Sequence, residues 1–291
     1  MNQNLALLFT TSALMLSTQL AVAAPFKPLP PFRGMNNDPT PAITYHGGPV
    51  IGNVRVVGVY WGPNVDANVQ TRIPGFYKAI VDSTYVDILS EYQTNIKSVD
   101  DGSEGTHQQV GRGTFAGMTT IIPQNGNPTI TQADVEKELE YQIEAKMISA
   151  PESVDLPNTL YMIHFPKSVS ISISFGASCV QWGADHEVYH SLKYGRVYYA
   201  MMPDCGYSFE KTTEAASHEF AEAITDPNSP LAGKPNVYPA GWITTDGSEI
   251  GDVCAWQPAT LTAGSEQYTV QKEWQVSKLA CSSENFVSTA H

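Results

Sequence analysis

The chain has 291 residues, 42% of them hydrophobic, and a formal charge of −13 from 16 basic and 29 acidic side chains. That balance argues against a nucleic-acid partner, because phosphate binding needs a basic face. It also argues against a surface held on anionic lipid. With only 15% charged residues the composition is that of a folded chain, and the length suits one large domain with a real core.

Leu5 to Val22 is mostly apolar, carries no charged side chain and ends in Ala21-Val22-Ala23-Ala24. Small residues before the cut predict a signal peptide over 1–24. Thr10, Thr11, Ser12, Ser17, Thr18 and Gln19 make the run too polar for a comfortable membrane span. Residues 25–41 are proline-rich and read as an extended leader. That leaves 42–291 as a single catalytic-like globular domain, secreted or periplasmic, with no stable membrane insertion after cleavage. In an oxidising compartment Cys179, Cys205, Cys254 and Cys281 predict two disulfides, with three connectivities open. Pairing neighbours, Cys179–Cys205 and Cys254–Cys281, closes loops of about 26 residues, each worth roughly 3 kcal/mol in the chain-entropy model. No CxxC spacing supports a cysteine-bound metal.

Val54 to Tyr60 is β-branched and predicts a buried strand. Thr71 to Glu91 has helical spacing, with Pro74 expected in the first turn. Thr114 to Ile122 suits a strand. Thr131 suits the N-cap of a helix from Gln132 to Ile148, with Asp134 and Glu136 near its positive end. Thr159 to Phe165 and Arg196 to Met202 read as strands. Thr212 or Thr213 opens a helix over about 213–225, stopped at Asp226-Pro227. The stretch 227–248 reads as a long loop, and Gln267 to Val276 as a late strand. The order of elements predicts one α/β (α+β) domain, a mixed sheet packed with helices.

The 213–225 helix contains His218-Glu219-Phe220-Ala221-Glu222. His218 and Glu222 are one turn apart on one face, the spacing by which a helix gives a metal two ligands. Glu219 stands where it can reach a metal-bound water. This is the logic of the HExxH zinc helix with its second His replaced by Glu, a swap zinc accepts. Glu249, beyond the loop, is the expected third ligand. Asp252 is expected to accept the other ring N–H of His218 and fix its tautomer. An open fourth position would hold water, and Glu219 would take its proton as general base. Ala216, Phe220, Ala221, Ala223 and Ile224 make the helix apolar nearly all round, which predicts burial and a cation for its acids.

His186-Glu187-Val188-Tyr189-His190 is a literal HExxH, so His186 and His190 form an alternative metal pair. Its setting is poorer. Gly183 and Asp185 precede it and Gly195 follows, so a helix there would be about nine residues long and begin at the motif. Lys193 excludes the extended three-histidine version. His190 is also a candidate to lean into the His218 site and polarise substrate. No GxSxG, P-loop or GxGxxG stands in a strand–turn–helix context.

Further pieces are spread over most of the chain after residue 41. They are Tyr45-His46-Gly47-Gly48-Pro49-Val50 with the strand to Tyr60-Trp61-Gly62, then Tyr189-His190-Ser191, then Ser217 to Pro227. Gly241-Trp242, Glu249 to Trp256 and Tyr268 to Trp274 complete the set. In order and rough spacing they resemble the exordium-like, phosphate-induced proteins of plants and their secreted bacterial relatives. Residues 63–158 show little that matches. The resemblance implies an extracellular protein tied to cell-wall growth responses, and it sets His190 but not His186-Glu187 within the shared pattern.

Two expectations follow. One is a secreted zinc metallopeptidase of zincin-like fold, with His218, Glu222 and Glu249 on the metal and peptide or protein as substrate. The other is a non-catalytic exordium-like protein, in which the same residues hold a structural cation such as calcium and the partner is a cell-wall polymer or polysaccharide.

Overall fold

The computed structural model describes residues 42–152, 157–228, 239–282 and 284–290. The expected signal peptide and leader lie outside them. In chain order the first elements are β1 (Thr44–Tyr45), β2 (Asn53–Trp61), α1 (Ala67–Val81), α2 (Thr84–Leu89), β3 (Gly111–Ile121) and β4 (Thr129–Thr131). Next come α3 (Gln132–Glu144), β5 (Thr159–His164), β6 (Ser170–Ile173), β7 (Gly176–Ala177), β8 (Asp185–Ser191), β9 (Gly195–Met202) and α4 (Phe209–Thr225). The chain ends with β10 (Trp242–Ile243), a 3-10 turn (Asp252–Cys254), β11 (Pro258–Ala263), β12 (Glu266–Gln271), β13 (Trp274–Gln275), β14 (Ala280–Cys281) and β15 (Phe286–Val287). This is a mixed α/β fold with several sheets and four helices among the described residues.

The centre is a five-stranded sheet in the order β3-β2-β5-β9-β8. β3, β2, β5 and β9 are parallel, and β8 closes one edge antiparallel to β9. Strand side chains alternate between faces, and the core divides accordingly. Val54, Val56, Leu160, Met162, Tyr198 and Ala200 pack with α1, α2 and α4. Val57, Val59, Tyr161, Ile163, Val197 and Tyr199 pack on the other face with α3 and Trp182. Burial on both faces explains why these strands read as unbroken apolar runs.

Several boundaries differ from the sequence expectation. The helix expected over 71–91 is two helices, because Ser83 breaks it and N-caps α2 through a bond from Tyr85 N. Pro74 lies inside α1 rather than in its first turn. It cannot donate to the Gln70 carbonyl, and Tyr60 Oη donates there instead, at 2.9 Å. α3 starts as expected, with a capping box between Thr131 and Asp134, but ends at Glu144. α4 begins at Phe209 with Ser208 as N-cap, earlier than Thr212 or Thr213. Those two hydroxyls instead donate to the Ser208 and Glu210 carbonyls within the helix. The loop expected over 227–248 contains β10, which pairs with β1.

Both neighbouring disulfides form, Cys179–Cys205 and Cys254–Cys281. They fit an oxidising, extracytoplasmic setting. No helix among the described residues is long and apolar enough to cross a membrane.

His164 ends β5 fully buried, with Nε2 2.8 Å from Tyr77 Oη. Burial pushes its pKa down to about 3, against an ordinary value of 6.5. The folded chain therefore keeps it neutral while the unfolded chain protonates it below pH 6.5. Its contribution is present above that value and is lost as pH falls through about 3, roughly 5 kcal/mol across the window. His164→Gln is expected to flatten the acid limb of the urea-unfolding stability profile between pH 6.5 and 3. A limb parallel to wild type would contradict this.

Candidate metal centre

Three segments distant in sequence meet on the α4 side of the sheet. α4 supplies His218, Glu219 and Glu222, and β8 supplies His186. The segment leading into the 3-10 turn supplies Glu249 and Asp252. His186 pairs with Ala200 in the sheet register, so it shares the face that packs against α4. Two groups of donors result, each drawn within 4.8 Å. One is His186, Glu222 and Glu249, and the other is His218, Glu219 and Glu222. Glu222 belongs to both.

The separations are short. His186 Nδ1 lies 3.3 Å from Glu219 Oε2 and 3.8 Å from Glu222 Oε2. His186 Nε2 lies 3.4 Å from Glu249 Oε1, and His218 Nε2 lies 3.1 Å from Glu222 Oε2. Donors around a tetrahedral zinc with bonds of 2.0–2.1 Å stand about 3.3 Å apart. His186, Glu219, Glu222 and Glu249 are only 2–4% exposed. His218 and Asp252, with side chains 19% and 15% exposed, form the more open flank.

Among the described residues, the ion-pair partners of Glu219, Glu222, Glu249 and Asp252 are histidines. Glu249 Oε1 and Asp226 Oδ2 are buried without a hydrogen bond. With protons as the only cations, burial raises Glu249 well above the carboxylate range and Asp226 to about 6. For His186 burial acts downward, but the charges of Glu249 and Glu219 outweigh it and raise its pKa well above the ordinary value. His218 is raised in the same way by Glu222, Glu219 and Asp252 against its own burial. The site holds more negative charge than its imidazoles balance, and a metal cation fits it.

The two sequence motifs therefore interleave. His186-Glu187-Val188-Tyr189-His190 lies on strand β8, not on a helix. Along a strand residues four apart are separated by about 13 Å, so His186 and His190 cannot share a metal. His190 lies at the exposed end of β8 opposite Arg196, away from His218, which corrects its expected catalytic role. The expected trio of His218, Glu222 and Glu249 is divided, with Glu249 grouped with His186. Asp252 does not face the other ring nitrogen of His218. Its Oδ1 stands 4.0 Å from Nε2, and its Oδ2 accepts the Glu249 N–H.

Gln271, at the end of β12, holds that position instead, with Nε2 2.8 Å from His218 Nδ1. Sequence reasoning missed it. The signal was a polar residue closing a strand whose Tyr268 and Val270 point into the core. A cavity of about 320 Å³, lined by His164, Met202, Cys205 and Ser208 at the ends of β5 and β9, contains none of these metal-capable side chains.

Gly251 makes room for the cluster. A Cβ there would stand 2.7 Å from Glu222 Oε1 and 2.7 Å from His218 Nδ1. Gly251→Ala is expected to cost about 1–3 kcal/mol in urea unfolding, by overpacking. Gly126→Ala, with open space at its Cβ, should stay within about 0.5 kcal/mol of wild type. Equal effects of the two substitutions would contradict this packing.

Compared with protein-family models, curated proteins and solved structures, the chain matches none of them.

Proposed function

We propose that the chain is a metal-dependent hydrolase, with zinc as the ion and peptide or protein as substrate. The observation that carries this reading is the convergence of His186, Glu222 and Glu249, all buried and from three separate segments, with Glu219 beside them. The ring of His186 supports it. Its Nε2 lies 3.1 Å from the Asp226 carbonyl, which can only accept, so the proton sits on Nε2. Nδ1 faces Glu219 at 3.3 Å and Glu222 at 3.8 Å, where either a second ring proton or a metal cation answers the two carboxylates. A histidine that gives its other N–H to a backbone carbonyl is a common metal ligand. The nitrogen donor favours zinc over calcium, which takes six to eight oxygens.

Zinc held there supplies a Lewis acid and a water of lowered pKa. His186, Glu222 and Glu249 hold the ion, and Glu219, 3.3 Å from His186, accepts the proton of the attacking water. Substrate approaches from the flank of His218 and Asp252. The zincin-like part of the reading rests on the motif helix α4 lying against the antiparallel edge strand β8.

The depth of the three donors favours a second reading. It is a structural cation in an extracellular protein of the exordium-like kind, partnered by a cell-wall polymer. Glu219 separates the two. The full chain, loaded with one zinc, is expected to cleave a mixed peptide library, with products read by mass spectrometry. Glu219→Gln should lose at least about 100-fold of that rate with zinc content unchanged. Zinc bound without cleavage would overturn the hydrolase and leave the structural ion.

A further inference from the structure

We infer that His218 is not a metal ligand but a positioning residue, which holds Glu222 through its Nε2–H in a tautomer set by Gln271. The inference rests on the metal reading above and assigns the part of His218 within it.

The Gln271 amide has one orientation that satisfies its neighbours. Its Oε1 accepts the Trp256 N–H at 3.2 Å, and its Nε2 donates to the Gly251 carbonyl at 2.9 Å. Turning the amide over would set N–H against N–H and oxygen against oxygen. The Nε2 amide therefore also faces His218 Nδ1, at 2.8 Å, as a donor. Nδ1 must accept, so the ring proton sits on Nε2. That nitrogen lies 3.1 Å from Glu222 Oε2, within ion-pair distance. The other oxygen of Glu222, Oε1, accepts the Asp252 N–H at 3.0 Å.

Glu222 is thus met at both oxygens, by His218 of its own helix at ion-pair distance and by a hydrogen bond from the 3-10 turn. Gln271 is itself fixed, because its backbone N–H donates to Ser217 Oγ at 2.8 Å. The relay runs Gln271 to His218 to Glu222. His186 has the opposite arrangement, with its Nε2–H given to a carbonyl and its Nδ1 facing the acids. The two histidines at one carboxylate therefore do different work, one as ligand and one as support. Hydrogen-bond partners of metal ligands typically contribute 10–100-fold in metal affinity.

The test is two-bond proton–nitrogen correlation NMR on the full chain with labelled histidine, with and without zinc, at a pH alkaline enough that neither ring is doubly protonated. His218→Ala identifies its signals. The expected spectrum shows His218 protonated at Nε2 and bare at Nδ1 in both states, while the ring of His186 responds to zinc. Gln271→Glu, whose carboxylate accepts from Nδ1, should move the His218 proton to Nδ1 and weaken zinc binding about 10–100-fold. His218→Gln, which keeps an N–H for Glu222, should still bind one zinc. A His218 Nε2 that is bare and shifts with zinc would overturn the inference, as would a proton on Nδ1 in wild type. If no zinc binds, the metal reading fails, and the zinc-free tautomer still decides the role of Gln271.

Discussion

The constraint on which the structure turns is buried negative charge. Glu219, Glu222 and Glu249 are nearly inaccessible, and Asp226 is fully so. Removing one carboxylate from water costs several kcal/mol unless a counter-charge and hydrogen bonds replace the solvent. Among the described residues two imidazoles stand against these acids as ion-pair partners. A chain selected for stability alone would fill the space between α4 and β8 with apolar side chains. The orphaned oxygens of Glu249 and Asp226 show that hydrogen bonding does not complete the balance.

The fold around this cluster reads as its support. Because β8 runs antiparallel to β9, its first residues pair with the last residues of β9. That register puts His186 opposite Ala200, on the face covered by α4, and carries His190 to the far end of the strand. α4 brings one further constraint, since His218, Glu219 and Glu222 share one side of a helix that is buried nearly all round. The Cys254–Cys281 disulfide joins the turn that carries Asp252 to β14. Gly251 lets that turn approach α4 closely enough for the Asp252 N–H to reach Glu222.

Much of the scaffold was legible in the sequence because it follows from local chemistry. β2, β5 and β9 are β-branched or aromatic runs, and α3 announces its start with Thr131 and Asp134. Two disulfides were expected from an even count of cysteines, and of three connectivities the neighbour pairing is the one that forms. The motif helix was legible too, with the side chains it brings together. What escaped depends on non-local pairing. HExxH letters at 186–190 carry no information on whether the segment coils or extends, and pairing with β9 decides for the strand. Glu187 thereby turns to the opposite face from His186, and His190, on the same face, is carried about 13 Å along the strand. Gln271 escaped for the same reason, since its meaning lies in a contact with a residue 53 positions earlier. The grouping of Glu222 and Glu249 with His186 is therefore a product of topology, not of motif.

The central claim is that the metal belongs to His186, Glu222 and Glu249, with His218 in support. Metal content by inductively coupled plasma mass spectrometry tests it most directly, on wild type, His186→Ala and His218→Gln expressed into an oxidising compartment. The account predicts about one zinc per chain in wild type and in His218→Gln, and its loss in His186→Ala. Zinc kept in His186→Ala and lost in His218→Gln would contradict it, and would return the site to the helix motif alone.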